Sequence, residues 1–201
     1  MQRIAEIARK TRETDIVIKL NLDGGGVATL DYPIGFMAHM LNSFARHGLL
    51  DLTVKAVGDL EVDQHHLVED TGIVLGQCLD RALGEKRGIR RQGSCLFPMD
   101  ETLVRAAVDI SGRSFFVFAG RLSGIPLVSG AASFQTDTIE DFWQGFTNAA
   151  GIALHLDVLR GRSDHHIIEA MFKAVAIALR DAVAIDARVG NVIPSTKGTL
   201  A

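Results

Sequence analysis

Apolar and polar positions divide the chain into segments of two periods. Thr14–Leu22 alternates with period two and predicts a strand. Asp23-Gly24-Gly25-Gly26 predicts a turn, after which Val27–Leu30 returns as a second strand. Between Pro33 and Gly48, Phe36, Met37, Met40, Leu41 and Phe44 recur at helical spacing. Leu50–Val57 predicts a strand and Asp63–Leu83 a helix. Further on, Thr102–Ile110 and Ser114–Gly120 are predicted strands joined by Ser111-Gly112-Arg113. A helix over Ile139–Ala149, a strand over Ile152–Leu159 and a helix over Asp164–Val183 follow. One more strand is expected near Ile89–Phe97.

The order is the same twice. His65-His66-Leu67-Val68-Glu69 and His165-His166-Ile167-Ile168-Glu169 share the pattern HHxxE near the start of the last helix of each half. Leu75, Leu79 and Ala82 match Val175, Leu179 and Ala182 behind it. The expectation is an α+β fold of internally duplicated β-β-α-β-α halves. Two mixed sheets would flank a shared helical layer. The first half runs over 1–92, the second over 93–186, and 187–201 is a tail. That tail has Pro, Ser, Thr and Gly without periodicity, and is either a frayed end or a functional arm.

Composition narrows the class. The 201 residues are 47% apolar and 22% charged, so a sizeable core can form. A net charge of −3 argues against nonspecific nucleic-acid binding. Cys78 and Cys95 lack metal-ligand spacing and point to a reduced, cytoplasmic setting. No run of about 18 apolar residues predicts a membrane span. Met1–Glu6 carries an acid and no apolar core, so no leader peptide is expected.

The histidines carry the chemistry. Positions i and i+4 of a helix share a face, so His65 projects with Glu69 and His165 with Glu169. His66 and His166 are turned about 100° away. One helix therefore offers donors in two directions, and two such helices can build two octahedral sites. Imidazole with carboxylate suits Mn, Fe, Co, Ni or Zn, and the absence of cysteine ligands argues against structural zinc. His39, beside Met40 and Leu41, and His155, between Leu154 and Leu156, are either core histidines or ligands. His47, before Gly48, is a helix cap or a functional group.

Arg12-Glu13-Thr14, Asp23-Gly24, His39-Met40-Leu41, Gly58-Asp59, Asp63-Gln64-His65-His66 and Pro98-Met99-Asp100-Glu101 stand in that order. Asp109-Ile110-Ser111-Gly112-Arg113, Leu154-His155-Leu156, His165 to Lys173 and Pro194-Ser195-Thr196-Lys197-Gly198 continue it. This succession resembles the imidazoleglycerol-phosphate dehydratase family from Arg12 to Leu200, in its monofunctional form. The resemblance implies a lyase of histidine biosynthesis that converts D-erythro-imidazole-glycerol phosphate into imidazole acetol phosphate. It implies two Mn2+ per active site, held by His39, His65, His66, Glu69, His155, His165, His166 and Glu169. It also implies trimers assembled into a 24-subunit particle, a homo-oligomer with active sites shared between subunits. Arg90, Arg113, Ser195 and Lys197 match phosphate-binding residues, Lys173 falls near the metal site and Glu13 matches a substrate-contacting glutamate. Glu13 and Glu169 are the candidate proton carriers. Ser43 departs from the pattern, standing where the family has glutamine. A dimetal hydrolase would need more bridging carboxylate than six histidines and two glutamates provide. A purely structural metal-dependent assembly would leave the arginines and Lys197 without a purpose.

Overall fold

The computed structural model describes residues 3–129 and 132–200. The start of the Met1–Glu6 segment and the last residue of the tail lie outside them. The first half consists of β1 (Ile4–Lys10), β2 (Thr14–Asn21), β3 (Ala28–Asp31), α1 (Gly35–Gly48), β4 (Asp51–Gly58) and α2 (His65–Leu83). The second consists of β5 (Gln92–Met99), β6 (Thr102–Asp109), β7 (Phe115–Ala119), β8 (Leu127–Ser129), β9 (Ala132–Phe134), α3 (Thr138–Ala150), β10 (Ala153–Arg160) and α4 (Asp164–Val183). Apart from the short β8–β9 hairpin, each half is therefore β-β-β-α-β-α. The extra strand expected near Ile89–Phe97 is present as β5, and the first half has an unexpected counterpart in β1. β1 escapes a reading by alternation because it is an edge strand, and of its seven residues only Ala5 is buried.

The sheets are ordered β1-β2-β4-β3 and β5-β6-β10-β7. This corrects the expectation that Val27–Leu30 folds back on Thr14–Leu22. β4 lies between them, antiparallel to β2 and parallel to β3. The cause is the α1 crossover, which returns the chain beside β3 in the same direction. Asp51 then holds the 23–27 segment across the sheet end. Its carboxylate accepts from Gly25 N at 2.8 Å and Val27 N at 3.1 Å. Gly24 is required there, because a Cβ would lie 2.3 Å from Asp51 N. The same correction applies in the second half, where β10 separates β6 from β7.

The helices occupy one layer between the sheets, and they interleave. α1 packs on α4, and α2 packs on α3, so each pair joins the two halves. α2 also covers β1 and β2, while α4 covers β5 and β6. Phe44, Phe142, Trp143, Phe146 and Phe172 fill the junction, with Trp143 and Phe172 ring centres 4.7 Å apart. Truncating a buried aromatic of this kind costs about 3–5 kcal/mol. The α2–α3 approach depends on Gly72, where a Cβ would meet the Phe142 carbonyl oxygen at 2.2 Å. This interleaving carries residues of one half to the HHxxE-bearing helix of the other. No described helix is long and apolar enough to cross a membrane.

Candidate metal centre

The first turns of α2 and α4 carry the two HHxxE motifs. Asp63 accepts from His65 N at 2.8 Å, and Ser163 caps α4 by accepting from His166 N at 3.4 Å. Within each motif the adjacent imidazoles are 6.0 Å apart and nearly perpendicular, at 80° and 84°. The helical rotation therefore aims the paired histidines in different directions.

α1 delivers His39 to α4. His39 Nε2 lies 3.5 Å and His165 Nε2 3.3 Å from the same Glu169 oxygen, Oε2. The ligand atoms of His39, His165 and Glu169 all fall within 4.8 Å of one another. Two imidazoles and a carboxylate in that span suit a divalent first-row metal. Glu169 is only 7% exposed, while both histidines are open to solvent. Lys173, one turn later, holds the other oxygen, Oε1, at 2.7 Å. Burial pushes the Glu169 carboxyl up, but Lys173 and His39 outweigh it and the net direction is down. Glu169 is thus held as a carboxylate with Oε2 directed at the histidines.

α3 makes the corresponding approach to α2, where His65 Nε2 lies 3.8 Å from Glu69 and Nδ1 3.4 Å from Asp141. The second histidine of each motif also has a carboxylate. His66 Nδ1 lies 3.0 Å from Asp59 and His166 Nδ1 2.9 Å from Glu101. The Asp59 bond raises the His66 pKa, and the Glu101 bond raises that of His166. The His166 bond, with backbone donors including Ser163 N, brings the Glu101 carboxyl down to about 2.

His39 and His155 are not core histidines. Each is exposed, His39 turned toward α4 and His155 on the outer face of the second sheet. Leu154 and Leu156 are the buried partners in that alternation. His155 points away from the helical layer and does not join His165 and Glu169 of its own chain. It lines an open cleft of about 490 Å³ with Gln92, Ser94, Asp109 and Ala153. His47 stacks edge-on against Phe97 at 5.8 Å, and burial pushes its pKa down.

The candidate phosphate residues come from segments tied together at one end of the second sheet. Arg91 forks onto Asp109 at 2.7 and 2.9 Å and donates to the Pro194 carbonyl at 3.0 Å. Ile110 N donates to Arg91 O at 3.0 Å. Arg90, Arg113 and Lys197 are exposed beside these bonds, and Ser195 accepts from Lys197 N at 3.2 Å. The tail is therefore a docked arm, not a frayed end. Ser43 is buried on α1. Glu13, at the β1–β2 turn, is exposed and sits beside Asp59, whose N–H donates to its carbonyl at 3.0 Å.

Reasoning from sequence missed the parts played by Asp59, Glu101, Asp141, Arg91 and Asp109. Asp59, Glu101 and Asp109 stand inside motif segments, but nothing in the spacing shows which imidazole or guanidinium each one holds. Arg91 and Asp141 carry no sequence signal of their own.

A duplicated α+β chain with paired histidine–carboxylate clusters describes a class of candidate metalloenzymes. The comparisons identify the family. The family model for imidazoleglycerol-phosphate dehydratase matches residues 33–179. The imidazoleglycerol-phosphate dehydratase of Symbiobacterium thermophilum is 54% identical over 99% of this chain and 93% of its own. That of Methylorubrum populi is 52% identical over 98% of this chain and all of its own. The Staphylococcus aureus crystal structure superposes with a TM-score of 0.80 at 36% identity, covering 91% of this chain and 99% of that one. The Pyrococcus furiosus structure, in complex with (S)-C348, gives 0.78 at 34% identity, covering 96% and 100%. The chain belongs to the imidazoleglycerol-phosphate dehydratase family and is a lyase.

Proposed function

We propose that this chain dehydrates D-erythro-imidazole-glycerol phosphate to imidazole acetol phosphate, in the cytoplasm, with two Mn2+ per active site shared between subunits. The observation that carries the reading is the convergence of His39, His165 and Glu169 from two halves of the fold. His65 with Glu69 forms the second cluster. His155 is exposed and His66 and His166 are partly so, and these donors would complete sites on neighbouring copies, which supports active sites shared between subunits. When bound, the metals supply Lewis-acid stabilisation of negative charge on the substrate ring.

The chain's own residues do the rest. Lys173 orients Glu169, whose burial and double engagement suit it to ligation. Glu13 is exposed, and among the described residues its carboxylate has no hydrogen-bond or ion-pair partner, which suits it to move the substrate proton. Arg90, Arg113, Ser195 and Lys197 would hold the phosphate, with Arg91 fixing the arm that carries the last two.

Lys197→Ala tests the phosphate arm. A charge-assisted hydrogen bond contributes about 1.5–3 kcal/mol. The variant should lose roughly 10- to 150-fold in kcat/KM, at 1.4 kcal/mol per factor of ten. Manganese content and Tm should stay at the parental values. Thermal stabilisation by 1,2,4-triazole, which lacks phosphate, should survive the substitution. Unchanged kcat/KM would move the phosphate site elsewhere, and stabilisation by inorganic phosphate but not by the azole would contradict the dehydratase reading.

A further inference from the structure

We propose that Asp59 and Glu101 are equivalent positioning residues, each accepting the Nδ1–H of the second histidine of an HHxxE motif so that Nε2 faces outward as a donor, and that Asp59's part in this frees Glu13. The inference rests on the metal reading above for the use of Nε2, but not for the tautomer itself.

The duplication supplies the argument. Glu13 immediately precedes Thr14, the first residue of β2, and Glu101 immediately precedes Thr102, the first residue of β6. Both threonines are buried, at 4% and 1% exposure, so the two turn glutamates occupy matching places. Their environments differ. Glu101 is fully engaged, with Oε2 on His166 Nδ1 at 2.9 Å and Oε1 on the Arg162 and Ser163 N–H groups at 3.3 and 3.1 Å. In the first half the imidazole is instead held by Asp59, whose two oxygens lie 3.0 and 3.2 Å from His66 Nδ1. Asp59 directly follows β4, and the residue that directly follows β10 is Gly161, which has no carboxylate. The second half must therefore use its turn glutamate on the histidine, whereas the first half need not. A carboxylate on Nδ1–H fixes the ring, leaves the Nε2 lone pair free and makes it a stronger donor. The result is two structurally matched imidazoles and one spare carboxylate, Glu13, beside one of them.

The full chain with ¹⁵N-labelled histidine, freed of metal, provides the test. In alkaline solution, where the rings are neutral, ¹⁵N NMR should show His66 and His166 as Nδ1–H tautomers. Asp59→Ala/Glu13→Ala removes the carboxylate that bonds His66 Nδ1 and the spare one beside it, and should convert that ring alone to the Nε2–H form. Glu101→Gln leaves one acceptor oxygen, and with that oxygen kept by the Arg162 and Ser163 N–H groups its NH2 faces His166 Nδ1, so that ring should turn to the Nε2–H form and manganese affinity should fall. Asp59→Ala should weaken binding of manganese by 10- to 100-fold at unchanged Tm. A His66 tautomer indifferent to the double substitution, or manganese affinity indifferent to Asp59→Ala, would overturn the proposal. Conversion of the tautomer in a protein that binds no manganese even as wild type would support the positioning role and reject the metal reading.

Discussion

His65→Ala and His165→Ala should each strip manganese from the purified protein and abolish turnover, while leaving the fold intact. The two residues open α2 and α4 at equivalent places, and each has Nε2 beside the glutamate one turn on, at 3.8 and 3.3 Å. Loss of a group that merely orients a ligand costs 10- to 100-fold in metal affinity or activity. Removing the ligand itself should exceed about 100-fold on the same scale. Both imidazoles are nearly half exposed, so truncation opens no core cavity and Tm in the metal-free state should hardly move. Elemental analysis and a dehydratase assay read the effect. Full metal content with normal turnover in either variant would remove these histidines from the site.

Chelation should break the particle. His155 faces away from the α4 cluster, and among the described residues only His39, His165 and Glu169 lie within mutual ligand distance in one chain. An octahedral ion needs more donors than that, and a neighbouring copy is the source the exposed histidines provide. Light scattering should show the mass falling about eightfold, from a 24-subunit particle to a trimer, on metal removal. Manganese should restore it. One unchanged mass with and without chelator would contradict sites completed between subunits.

What the sequence reveals and what it conceals divide along the range of the interactions. α4 was expected over Asp164–Val183 and is found there, because a capping serine, a 3.6-residue repeat and a buried apolar face all lie within the segment. β2, β4 and β6 follow from alternation for the same reason. Sheet order is different. Nothing near Val27–Leu30 announces that β4 will insert between it and β2, since that outcome is decided by where α1 packs. His39 and His155 show the same limit at the site. Flanking leucines and methionines suggest burial, but the neighbours in sequence are what is buried, and the histidines alternate outward. The duplicated HHxxE motifs mark the chemistry without tertiary information. The carboxylates that hold the rings come from a loop, a strand turn and α3, and only folding brings them into place.

The measurement that tests the dimetal dehydratase account most directly combines metal analysis with activity on one sample. The chain is stripped by chelator and titrated with manganese, and dehydration of imidazoleglycerol phosphate is assayed at each point. The account predicts no turnover in the stripped protein and activity that rises with bound metal, saturating at two ions per active site. Full dehydratase activity in metal-free protein, or saturation with no turnover of this substrate, would contradict it.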